Sequence, residues 1–159
     1  EAPLQGEPPA ARAARLAETK ARDVAARYPG AVVIGSDQVA DLGGRVLDKP
    51  GTVHRAHEQL AASSGRDVVF HTAVCVVDLQ GDATTHVDET RVRFRELSAE
   101  DIARYVERER PLDCAGSFKC EGLGIALFER IDNEDPTALV GLPLIATSRL
   151  LRAAGVVLP

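Results

Sequence analysis

Methionine is absent from this chain, and the first residue is Glu1. The chain is therefore expected not to start where a gene would. No apolar run approaches the roughly 18 residues needed to cross a bilayer, and no signal-peptide pattern precedes the first helical stretch. No membrane partner is expected. Cysteine is scarce: Cys75, Cys114 and Cys120 are odd in number and lack metal-ligand spacing. That argues against a disulfide framework or structural zinc, and for a reducing cytoplasm. Cys75 falls in an apolar strand pattern and reads as core. His54, His57, His71 and His86 show no metal-binding spacing. His54 and His57, three apart on one helical pattern, read as helix surface. Basic excess is missing too. A net charge of -5 and a pI near 5.4 argue against duplex nucleic acid or an anionic membrane as partner. They leave room for a small anion in a local basic pocket. There is no Walker loop, no G-x-G-x-x-G after a strand and no G-x-S-x-G elbow. Internal repeats and low-complexity segments are also lacking.

What is present suits one soluble globular domain over residues 1–159, since 45% hydrophobic and 27% charged residues are ordinary for that class. After an irregular, proline-bearing start, Ala17, Ala21, Val24, Ala25 and Tyr28 recur at helical spacing until Pro29-Gly30 stops them. Ala31–Ile34 reads as a buried strand ending in a small-residue turn at Gly35-Ser36. Gln38–Asp41 and Arg45–Leu47 should pair across Gly43-Gly44, a strong hairpin signal. Thr52 should cap a helix bearing Val53, Ala56, Leu60 and Ala61 on one face, closed by Gly65. Val68–Asp78 and Thr84–Phe94 read as an antiparallel pair. Ser98 with Asp101 resembles a capping box, opening a helix that buries Ile102, Tyr105 and Val106. A glycine-punctuated loop, 112–124, leads to a strand at Ile125–Ile131 and an acidic loop at Asp132–Asp135. Pro143 suits the first turn of a last helix with Leu144, Ile145, Ser148 and Leu151 inward. Helices interleaved with strands predict an α/β fold with a mixed β-sheet flanked by helices.

Asp37 is the strongest candidate for a functional carboxylate, because α/β proteins place ligand groups just after buried strands. It reads equally well as a turn aspartate bonding its own backbone. Lys49, at the far end of the same β-unit, reads as either a functional ammonium or a loop lysine. Lys20 sits on or beside the apolar stripe of the first helix, where a lysine commonly snorkels. Gly141-Leu142-Pro143 could turn backbone N–H groups toward an anion or mark a plain helix start.

Taken together, several blocks resemble the Maf family of nucleoside triphosphate pyrophosphatases. They are Gly35-Ser36-Asp37-Gln38-Val39, Lys49-Pro50, Ala115 through Gly122 (AGSFKCEG) and Val140-Gly141-Leu142-Pro143-Leu144. The helix with Leu16-Ala17 and Lys20-Ala21 also fits, as does the passage from Val92-Arg93-Phe94 to Tyr105-Val106. The resemblance implies a Maf/ITPase-like fold with a cleft between two lobes, often a homodimer. It implies hydrolysis of a nucleoside triphosphate to the monophosphate and pyrophosphate with a divalent cation, magnesium or manganese. Gln38 and Glu121 stand where the subgroup acting on 7-methyl-GTP has this pairing. Phe118-Lys119 and Leu127-Phe128-Glu129-Arg130 look like that subgroup too. Methylation at N7 makes guanine cationic, and a Glu121 carboxylate would favour that charge where a neutral amide would not, or would accept from base N–H groups without by itself selecting the methyl.

The resemblance makes Asp37 the proton acceptor, Lys20 and Lys49 the phosphate partners, and Gln38 and Glu121 the base-selecting pair. Phe118 would stack on the base or be a core aromatic. Asp37 and Glu1 would hold the metal. Family members open with a strand and an S-x-S-P-R-R-like loop that this chain lacks. Roughly the first thirty residues are therefore expected to be missing, with the opening strand among them. The competing readings are a Maf pyrophosphatase for dTTP, UTP or other modified nucleotides, and a non-catalytic nucleotide-binding regulator of cell division.

Overall fold

Gly35 carries no side chain, and that omission decides how the first helix meets the sheet. The computed structural model describes residues 2–159. In chain order the elements are α1 (Pro9–Ala25), β1 (Val33–Leu42), β2 (Arg45–Leu47), α2 (Val53–Ser63), β3 (Asp67–Val77), β4 (Ala83–Phe94), α3 (Ala99–Glu109), β5 (Phe128–Asp132) and α4 (Leu144–Ala153). Short 3-10 turns occupy Ala115–Ser117, Leu123–Leu127 and Ala138–Val140. The strands form a five-stranded sheet in the order β2-β1-β3-β4-β5. The α/β class read from the sequence holds, and the sheet is antiparallel rather than mixed. Among the described residues no helix is long and apolar enough to cross a membrane. The residues fall into two compact units, each discontinuous in sequence. One takes the chain up to Gln38, His71–Glu89 and Glu134–Pro159; the other takes Val39–Phe70 and Thr90–Asn133.

In the first unit, Pro9 opens α1, its fixed φ already suited to a first helical turn. Ala13, Leu16, Ala17 and Ala21 form the buried stripe. Tyr28, expected on that stripe, lies beyond the helix and is exposed. The chain does not turn at Gly35-Ser36. It stays extended through Asp37 and Gln38, so the expected strand and the first hairpin arm are one ten-residue β1. What Gly35 approaches closely is α1. A Cβ there would collide with the Ala17 carbonyl oxygen and come within 2.8 Å of the Ala21 Cβ.

The last helix is rotated from the expected face. Ala146, Thr147 and Leu150 are buried, while Leu144 and Ile145 are exposed. Ala146 and Leu150 pack with Val74 and Val76. The cause lies upstream of the helix. Buried Asp135 accepts hydrogen bonds from the Thr137 and Ile145 backbone N–H groups, each at 2.8 Å. The Thr137 hydroxyl donates to Asp135 at 2.5 Å and accepts from the Leu144 N–H at 2.9 Å. These bonds satisfy donors that a helix start leaves open, and they fix which way α4 faces.

In the second unit, β1 and β2 pair with Ala40 opposite Leu47 and Leu42 opposite Arg45. Gly43 and Gly44 have φ of 61° and 91°, the double left-handed geometry a two-residue hairpin requires. The Thr52 hydroxyl accepts from the Arg55 N–H at 3.2 Å to cap α2. That helix buries Ala56, Leu60 and Ser63, and the expected Val53 is 40% exposed. Ser98 and Asp101 form the anticipated capping box, and α3 buries Ile102, Tyr105 and Val106. All four phenylalanines of the chain gather here. Phe70, Phe94, Phe118 and Phe128 meet edge to face, with centroids 4.9–6.4 Å apart. The last strand begins at Phe128 rather than Ile125. The Gly124 N–H bonds the Lys119 carbonyl at 3.0 Å, which winds the chain just before it.

Two outcomes follow from these contacts. Gly35→Ala should cost about 1–3 kcal/mol, the usual range for overpacking, read as a lower midpoint in urea. Burial pushes the Asp135 carboxyl up, but hydrogen bonds from Thr137 and Ile145 outweigh it and leave its pKa lowered. A depressed folded pKa contributes stability in full above the unfolded value, and that contribution fades as pH falls through the folded value. Asp135→Asn should therefore destabilise the protein at neutral pH, with the gap to the parent narrowing in strong acid. Denaturation curves at both pH values check this.

Candidate active site

Side chains alternate along β1, and the alternation divides the labour in the first unit. Gly35 and Asp37 point to one face, where α1 lies close. One turn beyond Ala17, Lys20 reaches down so that its Nζ stands 2.5 Å from Asp37 Oδ1. The two differ in freedom: the lysine side chain is 43% exposed and the aspartate 11%. Among the described residues, no hydrogen bond engages Asp37 Oδ2. Arg15, five residues before Lys20, adds positive potential at Asp37. It is itself clamped by Glu7, with Nε and Nη2 at 2.6 and 2.8 Å from the two carboxylate oxygens. That bond, more than the burial opposing it, raises the guanidinium's pKa.

Ser36 and Gln38 point to the other face. Ser36 Oγ lies 2.7 Å from the Gly141 carbonyl and 2.9 Å from that of Ala73. Gln38 Nε2 lies 2.9 Å from Thr72 Oγ1, and 3.3 and 3.2 Å from the carbonyls of Ala138 and Leu139. Both side chains thus hold the turn at 138–141, the segment that leads into α4. The NH2 of Gln38 is spent on this task, and among the described residues no hydrogen bond engages its Oε1.

The second unit holds Lys49, Phe118 and Glu121. Lys49 is exposed beside buried Pro50. Glu121 is exposed on a loop whose two sides are tied to α3. The Lys119 N–H donates to the Tyr105 hydroxyl at 2.9 Å, and the Leu123 N–H donates to Glu109 Oε2 at 2.9 Å. Burial keeps the Tyr105 phenol protonated by raising its pKa. Just before, Gly116 and Ser117 both take positive φ, 71° and 60°. Ser117 is fully buried, its hydroxyl 2.5 Å from Gln59 Oε1. Phe118 is 5% exposed and ringed by three phenylalanines. Its ring lies in the buried core, one of the two places the sequence allows it.

Burial raises the Cys114 and Cys120 thiols to about 11, each helped by its neighbouring carboxylate. Neither is a nucleophile at neutral pH. Among the described residues, no three His, Cys, Asp or Glu side chains gather as a metal cage. As a lone carboxylate, Asp37 nevertheless suits magnesium, which commonly takes one or two carboxylates and fills its sphere with phosphate and water. Glu1, the other metal candidate, lies outside the described residues.

Sequence reasoning found Asp37 and Lys20 separately but not their contact. Arg15 carries no such signal, since five residues set it about 140° around α1 from Lys20. That reasoning also passed over Ser36, whose acceptor at Gly141 is more than a hundred residues away. The Maf-like protein family model matches residues 1–154. A 7-methyl-GTP pyrophosphatase of Xanthomonas oryzae is 58% identical over 159 residues, covering 100% of this chain and 83% of that protein. One from Aromatoleum aromaticum is 58% identical over 160 residues, covering 100% and 82%. One from Nitrosococcus oceani is 54% identical over 156 residues, covering 98% and 78%. With a family match that spans nearly every residue and relatives this similar along its whole length, the chain belongs to the Maf-like protein family.

Proposed function

We propose that this chain is a nucleoside triphosphate pyrophosphatase that converts 7-methyl-GTP to 7-methyl-GMP and pyrophosphate. The observation that carries the reading is the Asp37–Lys20 pair, with one carboxylate oxygen bonded and the other without a hydrogen bond among the described residues. The names borne by relatives 54–58% identical to it support the same substrate.

The reaction needs water to attack the α-phosphorus while the bond to the bridging oxygen breaks and charge collects on pyrophosphate. Asp37 Oδ2 orients that water and accepts its proton. Lys20 fixes the carboxylate through Oδ1, and its exposed stem lets the ammonium turn toward phosphate oxygens as a point charge. Lys49 supplies a second such charge. Asp37 would hold a divalent magnesium or manganese ion, which when bound supplies Lewis-acid charge at the phosphates. Glu121 carries base selection. Its loop is anchored at Lys119 and Leu123, so the carboxylate is presented without tying up its oxygens in the anchoring. An anion there favours the cationic 7-methylguanine over neutral guanine. Gln38 contributes through Oε1 and through the turn it holds. The free thiols Cys75, Cys114 and Cys120 support a reducing cytoplasm as the compartment.

The test is pyrophosphate release from a panel of 7-methyl-GTP, GTP, dTTP and UTP. Turnover should be highest with the first. Binding of 7-methyl-GTP without release would mark a regulator instead. Asp37→Asn should lower kcat by about 10²–10⁴-fold, the span of general-base catalysis, with an unchanged far-UV spectrum; near-normal turnover would remove Asp37 from the mechanism. Glu121→Gln should shrink the kcat/KM preference for 7-methyl-GTP over GTP by about tenfold, the difference between a charged and a neutral hydrogen bond. An unchanged ratio would reject charge recognition.

A further inference from the structure

The second unit has a groove of about 250 Å³ along α3 that the reaction above does not use. Arg95, Arg104 and Arg108 line it, with Asp101 as the one carboxylate among the lining residues. Three guanidinium groups against one carboxylate leave a local charge of +2, in a chain whose net charge is -5. Asp101 does not cancel the cluster. Its Oδ2 is shared between Arg95 Nη1 at 3.0 Å and the Ser98 N–H at 3.1 Å. Its Oδ1 receives only Arg104 Nη2, at 2.6 Å. The hydrogen bond from Arg95, backed by Ser98, pulls the Asp101 carboxyl down to about 2. It is a fixed counter-charge, and the surplus is fixed with it.

Donors remain after these bonds. Arg95 spends Nε on the Ala126 carbonyl and Nη1 on Glu96 and Asp101, leaving Nη2. Arg104 leaves Nε and Nη1. Arg108, one helical turn from Arg104, has no hydrogen bond or ion pair among the described residues. Guanidinium groups placed this way match the oxygens of a phosphate better than ammonium groups would. The rest of the lining is apolar: Leu123, Ala126, Leu127 and the ring of Tyr105. Leu123 is 46% exposed at the rim.

We propose that this groove is a second ligand site, taking a small phosphate monoester whose apolar body rests on Leu123 and Tyr105. The site stands on its own chemistry and does not depend on the substrate proposed above. It has a built-in route to the Glu121 loop. Tyr105 and Leu123 are also the residues whose hydroxyl and N–H anchor that loop at Lys119 and Glu109. A ligand seated here touches both anchors.

The test is nuclear magnetic resonance of arginine Nε–H signals on the whole chain, titrated with inorganic phosphate and with phenyl phosphate. The Arg95, Arg104 and Arg108 signals, assigned by single substitutions to glutamine, should shift and saturate in the millimolar range. Phenyl phosphate should bind several-fold tighter than phosphate, and Leu123→Ser should remove that advantage while leaving phosphate binding unchanged. R104Q/R108Q should weaken binding at the remaining Arg95 signal at least tenfold, with basal triphosphate hydrolysis unaltered. Signals that stay still through the titration would overturn the site. So would equal binding in R104Q/R108Q. Equal affinities for the two probes would overturn the apolar half of the ligand.

Discussion

A helix can lie against a strand at backbone distance only where side chains are absent, and the carboxylate end of this protein depends on that. Gly35 removes the Cβ that would strike the Ala17 carbonyl, and Ala17 and Ala21 remove bulk from the helix side. With the axis of α1 brought so near, Lys20 can reach Asp37 from the next turn, and Arg15 stands near enough to be felt there. A larger residue at 35 would push out the lysine along with the helix. The small residues and the charged pair are therefore one device, in which packing sets the electrostatics.

The same strand serves a second purpose through its other face. Ser36 and Gln38 bond the turn at 138–141, and Asp135 and Thr137 fix the start of the helix that follows. Polar side chains here do structural work that apolar ones could not, since the groups they satisfy are backbone carbonyls and helix-start N–H groups that would otherwise go unpaired. In the second unit the arrangement is reversed. Four phenylalanines form the interior, and the polar ties from α2 and α3 hold the loop that displays Glu121.

Much of this was legible in the chain because it is local. The Gly43-Gly44 hairpin, the Thr52 cap, the Ser98–Asp101 box and the buried face of α3 each depend on residues within a few positions of one another. The family blocks also named Asp37 and Lys20. What the sequence hid was set by distant contacts. Gly35-Ser36 looks like a turn until α1 is laid beside it. The face of α4 is set from a distance, because the donors of its first turn are claimed by Asp135, eight residues before Pro143. The burial of Phe118 depends on three phenylalanines elsewhere in the chain. Ile125 has a strand's side chain but sits where Gly124 is bonded back to Lys119.

The loop anchor at Tyr105 has a spectroscopic consequence. The chain has no tryptophan and only two tyrosines. Tyr28 is 61% exposed, and Tyr105 is 4% exposed with its hydroxyl held by the Lys119 N–H. Tyrosine emission is thus not masked by a stronger fluorophore, and its two sources differ in access to a dissolved quencher. The quenchable part is a solvent reference, and the protected part reports on the peptide that carries Glu121. The protein contains its own optical gauge of that loop, with no label to attach.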